Sequence, residues 1–254
     1  MKVSYTIPAG FTYSPALLDL IEGNHVLIAG TTGAGKSVLE NAILNAILCA
    51  RFPFSQGERS ASLVLIDPKK VELRLFKDLP HVIKYADNIA DIEKALLCVR
   101  QIIDERLKRM QKKGLRKSQE SPVYVFIDEL VDLMTSTRKK DLLRILSDSA
   151  SISRATNIFF VCLTQSPARV IIPAQFKLLF NCRVALRCNN AIESRQIIDD
   201  DSATKLPRYG LAIVQQDIDR YQLKINMVSD EQMQALVKSW NKQHPIITRL
   251  TRPR

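Results

Sequence analysis

The eight residues from Gly30 to Ser37 read G-T-T-G-A-G-K-S and constrain the fold more than any other stretch of the chain. The spacing G-x-x-x-x-G-K-[ST] lets successive backbone N–H groups turn inward around a polyphosphate, while the following helix offers its positive N-terminal end. An apolar, strand-like run, His25–Ala29, precedes the loop, and a run of helix formers, Val38–Ala50, follows it. Strand, loop and helix in this order predict a nucleotide-binding site.

The motif assigns chemical roles to its residues. Lys36 would contact the β- and γ-phosphates of the nucleotide, and the hydroxyl of Ser37 would ligate Mg²⁺. ATP and Mg²⁺ are therefore the predicted cofactors. The residues expected to contact the nucleotide are Thr31, Thr32, Gly33, Ala34, Gly35, Lys36, Ser37 and Val38.

A second apolar run, Val123–Ile127, ends in two adjacent carboxylates, Asp128 and Glu129. Two adjacent carboxylates at the tip of a buried strand are energetically costly without a cation. A phosphate-binding loop provides one, because its nucleotide binds together with Mg²⁺. We expect Asp128 to hold Mg²⁺ through water and Glu129 to act as general base on the attacking water. The alternative is a strand that simply meets a polar turn, because a helix begins at Leu130.

Further runs predict the rest of the fold. Ser62–Asp67 and Asn157–Leu163 are typical of buried strands, and Asn88–Lys113 has the spacing of an amphipathic helix. Arg51–Ser60, which contains proline, glycine and serine, predicts a connection. Alternating strands and helices indicate an α/β fold with a mainly parallel central sheet and helices on both faces.

The strand at Asn157–Leu163 is followed by Thr164 and Gln165. An amide at the tip of a strand beside the Asp-Glu strand can hydrogen-bond a γ-phosphate or its attacking water. Gln165 is therefore a candidate sensor, and the alternative is an ordinary polar residue at a strand end.

Composition limits the class of protein. The formal charge of +11 and the pI of about 9.5 suit a polyanionic partner such as nucleic acid, or an acidic membrane surface. The five cysteines form no C-x-x-C pair and are expected to be small core residues in a reducing cytosol. Because no membrane-span or signal-peptide pattern is present, the chain is predicted to be soluble and cytoplasmic, although it can be one piece of a longer, membrane-anchored protein.

Two groups of basic residues are candidate DNA contacts, because lysine and arginine clusters neutralise backbone phosphates. The alternative is a solvated helix end favoured by the helix dipole. The candidates are Lys112, Lys113, Arg116, Lys117, Arg138, Lys139 and Lys140.

Several runs of the chain resemble the FtsK/SpoIIIE family of DNA translocase motors, in order as well as in sequence. The runs are H-V-L-I-A-G-T-T-G-A-G-K-S-V (25–38), L-V-L-I-D-P-K-K-V-E-L (63–73), L-P-H-V (79–82) and V-F-I-D-E-L-V-D-L-M (125–134). The resemblance covers about residues 23–214. It implies a RecA-like P-loop NTPase core that assembles as a ring, commonly a hexamer, around double-stranded DNA and moves along it by ATP hydrolysis.

The resemblance also singles out two arginines. Arg154, in Ser153-Arg154-Ala155, and Arg195, in Glu193-Ser194-Arg195, are candidates for the arginine that one subunit donates to its neighbour's site. Either can instead be a structural ion-pair partner. The chain departs from the family pattern at three places. The family's T-Q-R-P reads Thr164-Gln165-Ser166-Pro167 here, its G-I-H reads Asn157-Ile158-Phe159, and its small glycine-rich turn reads Pro207-Arg208-Tyr209-Gly210.

The predicted organisation is a lead-in packing on the core (1–22), an FtsK-type ATPase domain (23–230) and a C-terminal helix with a basic tail (231–254). An N-terminal motor subdomain is expected to lie outside this chain, which reads as a short or divergent member. The leading function is an ATP-driven DNA translocase. The alternatives are a coupling ATPase for conjugative DNA transfer, an ATPase of a protein secretion system, and a scaffold that binds ATP without hydrolysing it.

Overall fold

The computed structural model describes residues 4–5, 15–54, 57–165 and 174–243. In this part of the chain the strands are β1 (Ser4–Tyr5), β2 (Val26–Ala29), β3 (Ala50–Phe54), β4 (Gly57–Arg59), β5 (Ser62–Ile66), β6 (Val82–Ala86), β7 (Val123–Ile127), β8 (Ile158–Thr164), β9 (Cys182–Ala185), β10 (Leu211–Gln216) and β11 (Asp219–Lys224). The α-helices are α1 (Pro15–Ile21), α2 (Lys36–Cys49), α3 (Ile89–Lys112), α4 (Leu130–Thr135), α5 (Lys139–Ser153), α6 (Ala174–Lys177), α7 (Ala191–Ile198) and α8 (Asp230–Gln243).

The central sheet has eight strands in the order β11-β10-β9-β2-β8-β7-β5-β6. The strands from β9 to β6 are parallel, and β10 and β11 run antiparallel at one edge. The carboxyl ends of the parallel strands therefore meet at one edge of the sheet, where α/β proteins commonly bind ligands. This arrangement confirms the predicted α/β fold with a mainly parallel sheet.

Each face of the sheet carries its own hydrophobic core, so helices cover both faces. On one face α1, α2 and α8 bury Leu20, Ile43 and Trp240. On the other face, α3, α4 and α5 bury Ile103 of α3 and Phe160 of β8. The four strand residues of β2 are all buried, as expected for a strand at the centre of a two-faced sheet.

The helices follow the predicted bounds to within one or two residues. Helix α3 begins where the side chain of Asn88 accepts a hydrogen bond from the backbone N–H of Asp91 at 3.1 Å, an N-cap that satisfies one orphan donor. All five cysteines are free and all but Cys98 are buried, as expected for core residues. Within the described ranges, no helix is both long and apolar enough to cross a membrane.

The prediction for Arg51–Ser60 was wrong. Instead of a connection, this segment forms the antiparallel pair β3 and β4, and β3 also pairs with β1. Pro53 and Gly57 are residues typical of loops, and one of the partner strands lies far away in the sequence, so no local pattern reveals the pairing. The two domain boundaries stay a prediction. Residues 1–3 and 6–14 of the predicted lead-in and residues 244–254 of the predicted tail lie outside the described part.

Candidate active site

The phosphate-binding loop follows β2 at the carboxyl edge of the sheet, and α2 begins at Lys36. The Lys36 ammonium donates hydrogen bonds to the carbonyl oxygens of Gly30 at 2.7 Å and Thr31 at 3.0 Å. Burial lowers the pKa of Lys36, and the negative charge of Glu129 opposes this effect. Lys36 is thus folded over the loop, where it lies in reach of a phosphate held by the loop backbone.

The loop is fixed against the segment that joins β9 to α7. The backbone N–H and the hydroxyl of Thr31 both donate to the carbonyl oxygen of Arg187, at 3.0 Å and 3.2 Å. A Cβ atom on Gly30 would lie 2.7 Å from the Cβ of Leu186. Only glycine permits this close approach of the two segments.

Asp128 and Glu129 follow β7 at the same edge. Burial raises the pKa of Asp128 to about 7, and the nearby carboxylates of Asp67 and Glu72 add to this rise. Glu129 has a left-handed backbone, with φ of 70°, a conformation that non-glycine residues adopt at a cost and that is common at functional sites.

The Glu129 carboxylate is 5 % exposed and is held from three directions. Lys69 Nζ donates to one oxygen at 2.9 Å, while Thr164 Oγ1 and the backbone N–H of Gln165 donate to the other at 3.3 Å and 3.0 Å. The side-chain oxygen of Gln165 in turn accepts from the Thr32 hydroxyl at 3.1 Å. The structure therefore brings the predicted base and sensor together and links both to the phosphate-binding loop.

Two charged residues from the segment after β5 reach this site, and the roles assigned from the sequence missed them. Besides the Lys69 contact, Glu72 Oε1 accepts a hydrogen bond from the Ser37 hydroxyl at 2.6 Å. The sequence does carry a signal for them. Both residues lie in a charged segment directly after a buried parallel strand, and such strands end at the edge of the sheet where the site lies.

Arg208 is a third residue that was missed. Its Nη2 atom lies 3.4 Å from the position that a Cβ on Gly33 would occupy. Because β10 is antiparallel to β9, the segment before Leu211 returns to the edge where the loop lies. The site thus has a cation against the outer side of the phosphate-binding loop.

These residues fit ATP and Mg²⁺. The glycine-rich loop lies at a helix N-terminus, the arrangement that binds phosphate groups, and Ser37 and Asp128 offer hard oxygen ligands. No cluster of three or more acidic, histidine or cysteine side chains within the described residues is arranged to hold a metal by itself. Mg²⁺ commonly uses one or two protein groups together with substrate phosphates.

Known proteins resemble this chain in sequence. Residues 1–120 match the model of the FtsK/SpoIIIE family. DNA translocase FtsK of Borreliella burgdorferi is 33 % identical over 208 residues, which are 75 % of this chain and 25 % of that protein. FtsK of Pseudomonas syringae pv. tomato is 28 % identical over 264 residues, 89 % of this chain and 32 % of that protein. The chain belongs to the FtsK/SpoIIIE family. It spans between a quarter and a third of the length of these FtsK relatives.

Solved structures share the fold of this FtsK/SpoIIIE chain. The conjugation coupling protein TcpA of pCW3, with ATPγS, has a TM-score of 0.75 and 24 % identity, with 89 % of this chain and 66 % of that chain covered. EssC (ATPases 2 and 3) from Geobacillus thermodenitrificans has a TM-score of 0.73 and 16 % identity, with coverage of 92 % and 47 %. At these identities the likeness shows a P-loop ATPase fold.

The two arginines singled out by the FtsK/SpoIIIE resemblance occupy different places. Arg154 is exposed at the amino edge of the sheet, after α5 and beside the buried His25. The seven residues of β8 separate this edge from the site, a distance of about 20 Å. Arg195 is exposed in the last turn of α7. Among the described residues, neither arginine forms a salt bridge.

The predicted DNA contacts fall into two groups at opposite ends of α3 and α5. The amino-edge group is exposed at the end of α3 and consists of Lys112, Lys113, Arg116 and Lys117. The carboxyl-edge group is Arg138, Lys139 and Lys140, at the start of α5, where Arg138 pairs with Glu93 at 2.6 Å. Because Arg138 pairs with Glu93 and Lys112 lies 19 residues further along α3, the two groups are about 30 Å apart.

One of the three departures from the FtsK/SpoIIIE pattern, at Asn157, has a physical reason. Asn157 stands where the family pattern has glycine, and its φ is 61°. Asparagine tolerates this left-handed conformation better than other non-glycine residues. Ser166 and Pro167 lie outside the described residues.

Proposed function

We propose that this chain is the ATPase core of a double-stranded DNA translocase, which hydrolyses ATP in a ring, commonly a hexamer, to move DNA. The observation that carries the proposal is the convergence of Lys36, Glu129 and Gln165 at one sheet edge of a chain related to FtsK proteins. The excess of positive charge supports a polyanionic partner.

The residues of the site suggest how hydrolysis proceeds. Lys36 would exchange its contacts with Gly30 and Thr31 for phosphate oxygens, and Ser37 and Asp128 would hold Mg²⁺. Bound Mg²⁺ neutralises charge on the phosphates. Glu129 accepts a proton from the attacking water, and Gln165 orients that water from the adjacent strand tip.

Arg154 is our first candidate for the arginine donated in trans, and Arg195 is the second. Arg154 is too far from the site of its own subunit to touch a nucleotide there, and the described residues offer it no ion-pair partner. Mixing inactive Lys36→Ala with inactive Arg154→Ala subunits should restore part of the ATPase activity, because some interfaces then combine an intact loop with an intact arginine. Mixtures that stay inactive would remove Arg154 from this role.

The amino-edge group is the better candidate for DNA contact, because its side chains are exposed and Arg138 of the other group already pairs with Glu93. Neutralising true phosphate contacts should reduce the slope of log affinity against log salt concentration by nearly one unit each. Changing Lys112 and Lys113 to glutamine tests this, with Lys139 and Lys140 as the matched pair. An unchanged slope would mean that Lys112 and Lys113 are ordinary solvated surface residues.

The test of the proposed function is steady-state ATPase activity with and without linear double-stranded DNA, over a range of protein concentrations. We expect DNA to stimulate the wild type cooperatively with protein concentration. Lys36→Ala should lose nucleotide binding, whereas Glu129→Gln should bind ATP and hydrolyse it about 100 to 10,000 times more slowly. Equal rates for wild type and Glu129→Gln would remove that residue from the mechanism.

The same assay separates the DNA-driven candidates from the other two alternatives. A conjugative coupling ATPase would also respond to DNA, whereas a secretion ATPase would hydrolyse ATP at a rate indifferent to it. A scaffold would bind ATP without turnover. We further propose that the motor acts in the cytoplasm, at the inner face of the membrane through a motor subdomain, an anchor or partners outside this chain.

A further inference from the structure

The segment from Asp67 to Leu73 crosses from the end of β5 to the start of α2. Asp67 is completely buried, and its two carboxylate oxygens accept hydrogen bonds from the backbone N–H groups of Val71 at 3.3 Å and Leu73 at 3.1 Å. The hydroxyl of Tyr85 donates to the same carboxylate at 3.4 Å. These bonds fix the path of the segment, so the side chain between the two anchored N–H groups has a defined position.

That side chain is Glu72, and it contacts the residue expected to bind the metal. The Ser37 hydroxyl donates to Glu72 Oε1 at 2.6 Å, a short distance typical of a hydroxyl bonded to a carboxylate. A serine hydroxyl has one hydrogen and two lone pairs. When the Ser37 hydroxyl donates its hydrogen bond to Glu72, the lone pairs of Ser37 Oγ remain available for a cation.

We propose that Glu72 is a positioning residue of the metal site: by accepting the Ser37 hydroxyl hydrogen, it turns an oxygen lone pair toward Mg²⁺. The inference rests on the proposed function, since it needs Mg²⁺ and ATP at the phosphate-binding loop. It goes beyond that function by giving the Asp67–Leu73 segment a role in the site, through a residue other than the Asp-Glu pair.

The consequence is specific to the metal. Partners that orient a metal ligand typically change metal affinity by about 10-fold to 100-fold when they are removed. Glu72→Ala removes the acceptor and should weaken the Mg²⁺-dependent part of nucleotide binding by about this factor. Glu72→Gln keeps an acceptor oxygen and should stay within about threefold of the wild type.

The experiment measures the affinity of a fluorescent, non-hydrolysable ATP analogue at a series of Mg²⁺ concentrations and in EDTA. Glu105→Ala is the matched control, because this glutamate is exposed on α3 and pairs with Arg109 away from the site. Thermal melts of all variants check that they are folded. We expect Glu72→Ala to match the wild type in EDTA and to need about 10 to 100 times more Mg²⁺.

A double-mutant cycle tests whether Glu72 acts through Ser37. In a Ser37→Ala background, Glu72→Ala should change the Mg²⁺ dependence less than twofold. Additive effects, an equal loss in EDTA, or an unchanged Mg²⁺ dependence of Glu72→Ala would each overturn the inference. If the wild type itself shows no Mg²⁺ dependence, the metal part of the proposed function fails and the inference fails with it.

Discussion

Replacing Gly30 by alanine should damage nucleotide binding by moving the loop. The new Cβ would lie 2.7 Å from the Cβ of Leu186, whereas ordinary carbon contacts lie at about 3.5 to 4.0 Å. The two segments must therefore separate by about 1 Å. Overpacking of this kind costs about 1–3 kcal/mol, which lowers the melting temperature by about 2 to 12 °C in a chain of this size.

The displacement should reach the chemistry. Separation of the segments strains the two hydrogen bonds from Thr31 to the carbonyl oxygen of Arg187. A misplacement of about 1 Å in a catalytic site can cost about 100-fold in rate, so kcat/KM for ATP should fall by about this factor in Gly30→Ala. The assay is steady-state ATP hydrolysis, with a thermal melt of each variant.

Gly114→Ala is the matched control. Gly114 has a φ of 63° and open space around its Cβ position, in the turn after α3. A side chain there costs about 1–2 kcal/mol through backbone strain, and kcat/KM should not change. A wild-type kcat/KM in Gly30→Ala would refute the close-packing argument, and an equal loss in Gly114→Ala would assign the effect to lower stability.

Three further predictions concern other parts of the structure. Arg106 is buried and donates hydrogen bonds to the carbonyl oxygens of Thr156 and Ser121. Arg106→Met leaves both acceptors without this donor and should lower the free energy of unfolding in urea by about 2–6 kcal/mol, which is about 1–3 kcal/mol for each acceptor; a loss under 1 kcal/mol would contradict this. Burial lowers the pKa of His25 to about 4, so its neutral form contributes stability above pH 6.5 that is lost as the pH falls. The unfolding free energy of the wild type relative to His25→Gln should therefore decrease by about 2 kcal/mol between pH 7.5 and pH 5. A difference that stays constant over this range would refute the prediction. Arg208→Ala should weaken nucleotide binding about tenfold through loss of a charge-assisted contact, and equal affinity in fluorescence titrations would exclude that contact.

Sequence patterns predicted the elements that local chemistry determines. The loop at Gly30–Ser37 and the acids after β7 were recognisable because strand, loop and helix signals follow one another along the chain. Parallel strands end at one edge, so the sequence alone predicts that Gln165 lies near Glu129. The structure confirms this placement.

Contacts between distant segments could not be predicted in this way. The pairing of β1 with β3 joins residues about 45 positions apart, and neither strand has a strong apolar pattern. Glu72 reaches Ser37 only because Asp67 bends the intervening segment, and Arg208 reaches the loop only because β10 reverses direction. Each of these contacts depends on tertiary packing that periodicity does not encode.

Displacement of a DNA triplex distinguishes a DNA motor from an ATPase that does not move DNA, because it detects movement along the duplex. A labelled third strand is placed at one end of a linear duplex, and its release is followed after ATP is added. We expect the wild type to release the third strand with ATP, and we expect no release with ATPγS or by Glu129→Gln. DNA-independent ATP hydrolysis without triplex release, at protein concentrations that form rings, would contradict the proposed motor.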